Sequence, residues 1–126
     1  MYELNYKNDY GVEYILRFII DAYNADRSLA VLSYYEEEEN MWVFFESMTV
    51  CLGNEHTKNR AYIDENNLPG IGKILEKEGI AKPTGRMMST TFCTYPEYKF
   101  NVSKLKEMDK EGYKRYSSLY KECYGK

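Results

Sequence analysis

Three apolar runs rich in β-branched and aromatic residues follow one another early in the chain, and they constrain its fold more than any other feature. They are "VEYILRFII" (Val12 to Ile20), "SLAVLSYY" (Ser28 to Tyr35) and "MWVFFESMTVCL" (Met41 to Leu52). Residues of this kind fit a pleated, half-buried surface, so each run reads as a strand. Between the first two, "DAYNADR" supplies Asn24 and Asp26, which tolerate turn conformations. Between the second and third stand Glu36 to Glu39. Like charges at that density cannot be buried together, so they mark a solvated hairpin tip. The third run is long enough to bend, with Glu46-Ser47 as the expected place.

Further along, "RAYID" (Arg60 to Asp64) reads as a fourth strand, and then the period changes. Leu68, Ile71, Ile74 and Leu75 recur at helical spacing. Asn66 or Asn67 can cap the start, Pro69 suits the first turn and Gly79 suits the position just past the end. A helix is expected over about 68–78. Pro83, Thr84, Gly85 and Arg86 then read as a loop, followed by an extended run that Pro96 interrupts and a short strand "EYKFN". A second helix over about 104–123 is expected, capped by Ser103 and weakened by Gly112. Its apolar side carries Leu105, Met108, Tyr116, Leu119, Tyr120 and Cys123. The order of elements implies an α+β fold, a mainly antiparallel sheet with one central helix and a C-terminal helix. Residues 1–101 read as one domain, and 102–126 as a helical extension packed on it or projecting from it.

A length of 126 residues suits one compact domain. The formal charge of -3 disfavours nonspecific nucleic-acid binding, which needs a basic footprint. No run approaches the ~18 consecutive apolar residues of a membrane span. The polar, acidic start "MYELNYKNDY" is neither a signal nor a transit peptide, so a cytoplasmic protein is expected. Cys51, Cys93 and Cys123 are odd in number and widely spaced, which argues against a disulfide framework or a zinc site and leaves reduced core thiols.

Catalytic patterns are missing. His56, the single histidine, lies in a polar loop and reads as a surface residue with no third group to orient it beside a nucleophile. "GIGK" (Gly70 to Lys73) fails the phosphate-loop pattern, because Asn67 stands where that pattern needs glycine and Ile74 where it needs Ser or Thr. The chain reads as non-enzymatic, without metal or cofactor. What remains is a binding constellation. Tyr62, Asn66 and Asn67 precede a helix N-terminus, whose free N–H groups attract anions. Arg86 can offer a bidentate fork to phosphate. Phe92 and Tyr95 offer stacking faces, and Tyr23, Asn24 and Arg27 form a comparable group at the first hairpin turn. The 14 tyrosines fit both strands and interfaces.

The ordered series Y-N-x-x-R-x-L-A-V, E-S-M-T-V-C-L, A-Y-I-D-E-N-N-L-P-G-I, G-I-A-K-P-T-G-R and S-T-T-F-C-T-Y-P-E-Y-K-F spans roughly Tyr14 to Phe100. It resembles a family of small bacterial and phage proteins of unknown function carried on mobile elements. More distantly, the layout is similar to phage anti-Thoeris sponges, oligomeric proteins that hold the cyclic ADP-ribose signal without cleaving it. That resemblance implies a non-enzymatic anti-defence protein and a homo-oligomer. It also implies a ligand site built from Tyr62, Asn66 or Asn67, and Arg86, with Arg27 as a further contributor and Tyr62 or Phe92 stacking on a base. The alternative is an anti-CRISPR-like inhibitor that binds a defence effector through the Glu36–Glu39 tip, exposed tyrosines and the C-terminal helix.

Overall fold

The computed structural model describes residues 2–53 and 57–125, so His56 lies outside the described residues. These residues form β1 (Leu4–Lys7), β2 (Glu13–Ala22), β3 (Leu29–Glu38), β4 (Met41–Ser47), β5 (Thr49–Val50) and β6 (Arg60–Ile63). After them come α1 (Ile71–Lys77), β7 (Ala81–Ser89), β8 (Thr94–Phe100), α2 (Val102–Met108) and α3 (Lys110–Tyr124). The fold is α+β and its strands are antiparallel, but they make two four-stranded sheets rather than one, ordered β1-β2-β3-β4 and β5-β6-β8-β7. Among the described residues, no helix is long and apolar enough to cross a membrane.

The division into two sheets happens at one residue. β4 ends at Ser47, beside the expected bend, and the chain crosses at Met48, which is fully buried. The Met48 N–H donates to the Val31 carbonyl at 2.9 Å, and Asp64 N–H donates to the Met48 carbonyl at 3.0 Å. The Thr49 hydroxyl oxygen accepts from Val31 N–H at 3.1 Å. The peptide groups of the crossing are thus paired although they leave both ladders, as buried backbone requires.

Several sequence expectations are corrected. The short β1 was missed, although Leu4 and Tyr6 alternate with polar neighbours and are 2% and 1% exposed. Helix α1 begins at Ile71 and not near Leu68, because the chain first makes a tight turn in which Ile71 N–H donates to the Leu68 carbonyl. Gly79 does follow its end, in the left-handed conformation (φ +71°). The Ile80 N–H then reaches the Leu75 carbonyl at 2.8 Å and the Gly79 N–H that of Glu76 at 3.1 Å, which is a Schellman closure. The Pro83-Thr84-Gly85-Arg86 stretch is no loop. It is a bulge within β7, which sits at the edge of its sheet, where a missing N–H is tolerated. Pro96 lies inside β8, just beyond the point where pairing with β6 stops at Tyr62↔Glu97, so no ladder bond is lost. The cysteines are free as expected, but none is in the core: Cys51 and Cys93 are half-buried and Cys123 is exposed.

The C-terminal helix is two helices. Asn101, not Ser103, caps α2, its side chain accepting from Ser103 and Lys104 N–H. The break falls at Asp109, whose extended backbone (φ -161°) ends α2 and starts α3. The reason lies in β2. Tyr23 N–H bonds Ser28 O, so alternation along the ladder makes Ile20↔Val31 a pair that exchanges no hydrogen bonds. The Ile20 peptide faces the other side, where β1 has already ended at Leu4↔Leu16. Asp109 fills the gap. Its Oδ2 accepts from Ile20 N–H at 3.0 Å, and its Oδ1 accepts from Gly112 N–H at 3.0 Å. Arg115 donates to the Ile20 carbonyl at 3.1 Å and pairs with Asp21 at 3.2 Å. Leu105, Met108, Tyr113, Tyr116 and Tyr120 of α2 and α3 then join the same apolar cluster as Leu16, Ile20, Ile63, Leu75 and Phe100.

Gly112 is needed here for space. A Cβ at this position would collide with the Asp109 carboxylate and the Ile20 carbonyl oxygen. On an exposed helix, alanine would gain about 1 kcal/mol over glycine. At this contact we expect Gly112→Ala to lose about 1–3 kcal/mol instead, measured by chemical denaturation. A stabilised variant would refute the close approach.

Tyr98 supplies a second prediction. Burial, and then the Glu76 carboxylate that its hydroxyl meets at 3.2 Å, push it up to about 12. The folded state therefore favours the neutral phenol. That contribution is complete below the ordinary phenol value of about 10 and declines as pH rises above it. We expect the denaturation midpoint to hold to about pH 10 and then fall toward about 12, with a shallower fall in Tyr98→Phe. Tyr116 and other tyrosines that burial pushes up, Tyr23 and Tyr113 among them, sustain the remaining slope.

Candidate functional site

The residues singled out in the sequence fall into three local settings. Tyr23 and Arg27 stand at the β2–β3 turn. The Tyr23 hydroxyl is fastened to the crossing, 3.0 Å from Ser47 Oγ and 2.9 Å from the Thr49 carbonyl. It is a structural tie, raised above the usual phenol range by burial. Arg27 holds the left-handed position of that turn (φ 62°), and its guanidinium donates to the Asn24 carbonyl at 3.4 Å. Phe92 is 93% exposed at the tip of the β7–β8 turn, which Thr90 N–H closes on the Cys93 carbonyl at 2.7 Å.

The third setting surrounds the outward face of the second sheet. Ala61, Ile63, Tyr98 and Phe100 point into the core, so Arg60, Tyr62, Tyr95 and Glu97 point out. Tyr62 is 5% exposed and Glu97 1% exposed even there. Tyr62 therefore presents no ring for stacking, contrary to expectation, and belongs to the packed frame. Glu97 is a buried carboxylate held by the Thr84 hydroxyl at 2.8 Å and by Arg60 at 3.7 Å. Burying a charge is costly unless it is paired in this way. The Thr84 oxygen also accepts from Arg86 N–H at 3.2 Å, so the bulge that carries Arg86 is anchored to Glu97. The Arg86 side chain itself is exposed, and among the described residues nothing pairs with it.

Asn66 and Asn67 separate. Asn67 turns back on Asp64, donating from Nδ2 to Oδ2 at 2.8 Å and from its backbone N–H to Oδ1 at 3.2 Å. Asn66 is exposed and lies near the Tyr95 hydroxyl, which the neighbouring Cys93 thiol raises above the ordinary phenol value. Neither asparagine caps α1. Its start at Gly70 has no side-chain cap, and Glu65 reaches forward instead, accepting from Gly70 N–H at 2.9 Å and Gly72 N–H at 2.5 Å. The helix start expected to attract a ligand anion already holds a carboxylate of its own chain.

A second surface escaped sequence reasoning. In the first sheet Leu16, Phe18, Ile20, Leu29 and Val31 face the core. The outward face carries Ile15, Ile19, Leu32, Tyr34, Trp42 and Phe44, with Ile15 and Phe44 each 53% exposed. Tyr34 and Phe44 meet edge to face at 5.7 Å. Arg17 lies 4.0 Å over the Trp42 ring and pairs with Glu3 at 2.9 Å. The signal was present: a one-sided strand alternates apolar with polar, whereas "VEYILRFII" is apolar nearly throughout.

The fold and these two surfaces define a small α+β domain. Residues 18–120 match the family model described as a domain of unknown function (DUF4313), and the chain belongs to that family. No curated protein matches the chain, and no solved structure does. The family description assigns no phage origin and no tie to the sponge proteins.

The capping role of Glu65 is open to direct test. Replacing it with alanine leaves the Gly70 and Gly72 N–H groups without their acceptor, and we expect a loss of about 1–2 kcal/mol in thermal or denaturant unfolding. An unchanged stability would show that water satisfies those groups equally well.

Proposed function

We propose that this protein works by holding a small anionic ligand without turning it over, on the outward face of the second sheet. One observation carries the reading: Arg86 presents an exposed guanidinium with no ion-pair partner among the described residues, on a bulge tied through Thr84 to buried Glu97. An arginine whose backbone is already fixed loses less freedom when it grips a phosphate. Arg60, by contrast, is engaged with Glu97 and serves the frame. Asn66 supplies a polar edge, and the half-buried ring of Tyr95 beside it takes the stacking role expected of Tyr62.

The sequence resemblance adds the ligand class. A cyclic nucleotide signal of the cyclic ADP-ribose type combines a pyrophosphate for Arg86 with a base for Tyr95. Tight binding without hydrolysis would make the protein an anti-defence sponge, and the reading asks for no nucleophile, metal or cofactor.

Isothermal calorimetry with cyclic ADP-ribose isomers and cyclic dinucleotides tests it, using protein near 100 µM so that even micromolar binding, about -8 kcal/mol, is seen. Arg86→Ala is expected to weaken binding by about 1.5–3 kcal/mol, and the ligand should be recovered intact by chromatography. Absence of heat with every ligand would remove the reading, and consumption of the ligand would replace sequestration with catalysis.

A further inference from the structure

We propose that Lys82 and Lys99 form an anion site of their own on the outward face of the second sheet, and that it takes the terminal phosphate of a small molecule. The strand register brings the two together. Arg60 of β6, Lys99 of β8 and Lys82 of β7 are direct cross-strand partners, Arg60↔Lys99 and Lys82↔Lys99. Residues paired in this way project to the same side, with Cβ atoms about 5 Å apart. Ala61, Phe100 and Ala81, their neighbours in sequence, are buried, so the three cations stand in a row on the outward side.

Like charges directly opposite one another destabilise a sheet, and the fold neutralises one of the three. Arg60 leans along β8 to Glu97, 3.7 Å away, and the same carboxylate accepts from the Thr84 hydroxyl. The other acids of the adjoining segments are placed elsewhere. Asp64 accepts from Asn67, Glu65 accepts from the start of α1, and Glu76 meets the Tyr98 hydroxyl on the inner side. Glu78 and Glu107 lie toward Tyr2, whose phenol burial and then these two carboxylates raise. Lys82 and Lys99 are exposed and form no ion pair among the described residues. The fold thus sets two cations against each other and leaves their charge unanswered.

Both side chains line one groove of about 310 Å³ at this end of the sheet, with Gly79, Ala81, Phe100 and Asn101, and no carboxylate is among them. That volume is at the small end of ligand pockets. Two adjacent ammonium groups match a phosphate monoester, which carries about -1.5 to -2 charge at neutral pH and three acceptor oxygens. A cyclic phosphodiester brings a single charge and satisfies them less well. The chain's formal charge of -3 disfavours a long polyanion and points to a small molecule. Arg86 stands apart from this groove, beyond the bulge and next to the Met87↔Pro96 pair. Pro96 is three residues from Lys99 along β8, about 10 Å, so the inference does not depend on the ligand proposed for Arg86.

Amide chemical-shift titration of the intact chain tests it, with inorganic phosphate, adenosine 5′-monophosphate and adenosine 3′,5′-cyclic monophosphate as probes. Each is compared with sodium chloride at equal ionic strength. The two monoester-type anions should shift residues 79–82 and 99–101 and saturate with a dissociation constant of ~1 mM or tighter, and the cyclic diester and chloride should not. Tighter binding of the nucleotide than of phosphate would support the site and add a nucleoside beside it; equal binding would support free phosphate as the whole ligand. Lys82→Gln and Lys99→Gln change exposed positions and should weaken phosphate binding about tenfold. In phosphate-free buffer at low salt, Lys99→Gln should be at least as stable as the wild type, because it relieves the repulsion. Arg86→Ala should leave phosphate binding unchanged. Shifts no larger than those with chloride would overturn the proposal, as would wild-type phosphate affinity in Lys99→Gln. Loss of phosphate binding in Arg86→Ala would move the anion to that residue and overturn it too. So would a Lys99→Gln variant less stable than the wild type without phosphate, which would mark the lysine as structural.

Discussion

The peptide of Ile20 is the point on which this structure is hung. β2 is ten residues long and β1 only four, so the second half of β2 has no strand beside it on that side. An N–H and a carbonyl exposed on a bare sheet edge invite pairing with another chain, and buried without partners they cost several kcal/mol. The C-terminal helices supply those partners. Asp109 takes the N–H, Arg115 takes the carbonyl, and Gly112 lets the helix approach closely enough for both. The same Asp109 starts α3, so one carboxylate ends a strand edge and begins a helix. The tyrosine ladder of α3, with neighbouring rings 4.7–5.9 Å apart, follows from that docking.

With the helices committed to that edge and to the interior, both sheets keep an outward face, and the two faces have different chemistry. The second is polar at its rim, and its frame includes a buried glutamate whose partners are a hydroxyl and an arginine. This arrangement holds a bulge in place and leaves one guanidinium outside. The first mixes aromatic and aliphatic side chains with charged ones, Glu13, Arg17 and Glu36 among them, and its Arg17 is paired with Glu3. An exposed cation on an anchored backbone, with polar groups near it, suits a small charged ligand. The division at Met48 separates these two surfaces.

Much of the fold was legible in the sequence because local physics dictated it. The three β-rich runs, the acidic tip, the helical recurrence from Leu68 to Leu75 and the Gly79 stop all depend on residues within a few positions of one another. The candidate site was legible only in part. Arg86 and Asn66 emerged as exposed polar groups, but Tyr62 could not be told from a surface tyrosine, because its burial comes from packing across strands. Glu97 was passed over because a lone glutamate in an apolar strand has no local mark of the arginine and threonine that hold it.

Sequence by itself determined the class of the fold, the positions of most strands and the end of the central helix, since propensity, period and left-handed glycine are properties of short segments. Only the tertiary structure decided that the strands form two sheets, that Glu65 rather than an asparagine caps α1, and that Asp109 breaks the C-terminal helix. In each case a polar group had to find a partner that is not adjacent in the chain. It also decided which apolar residues remain outside. Ile15 and Leu16 differ little in hydrophobicity, and their fates diverge because the helices cover one side of β2 and leave the other bare.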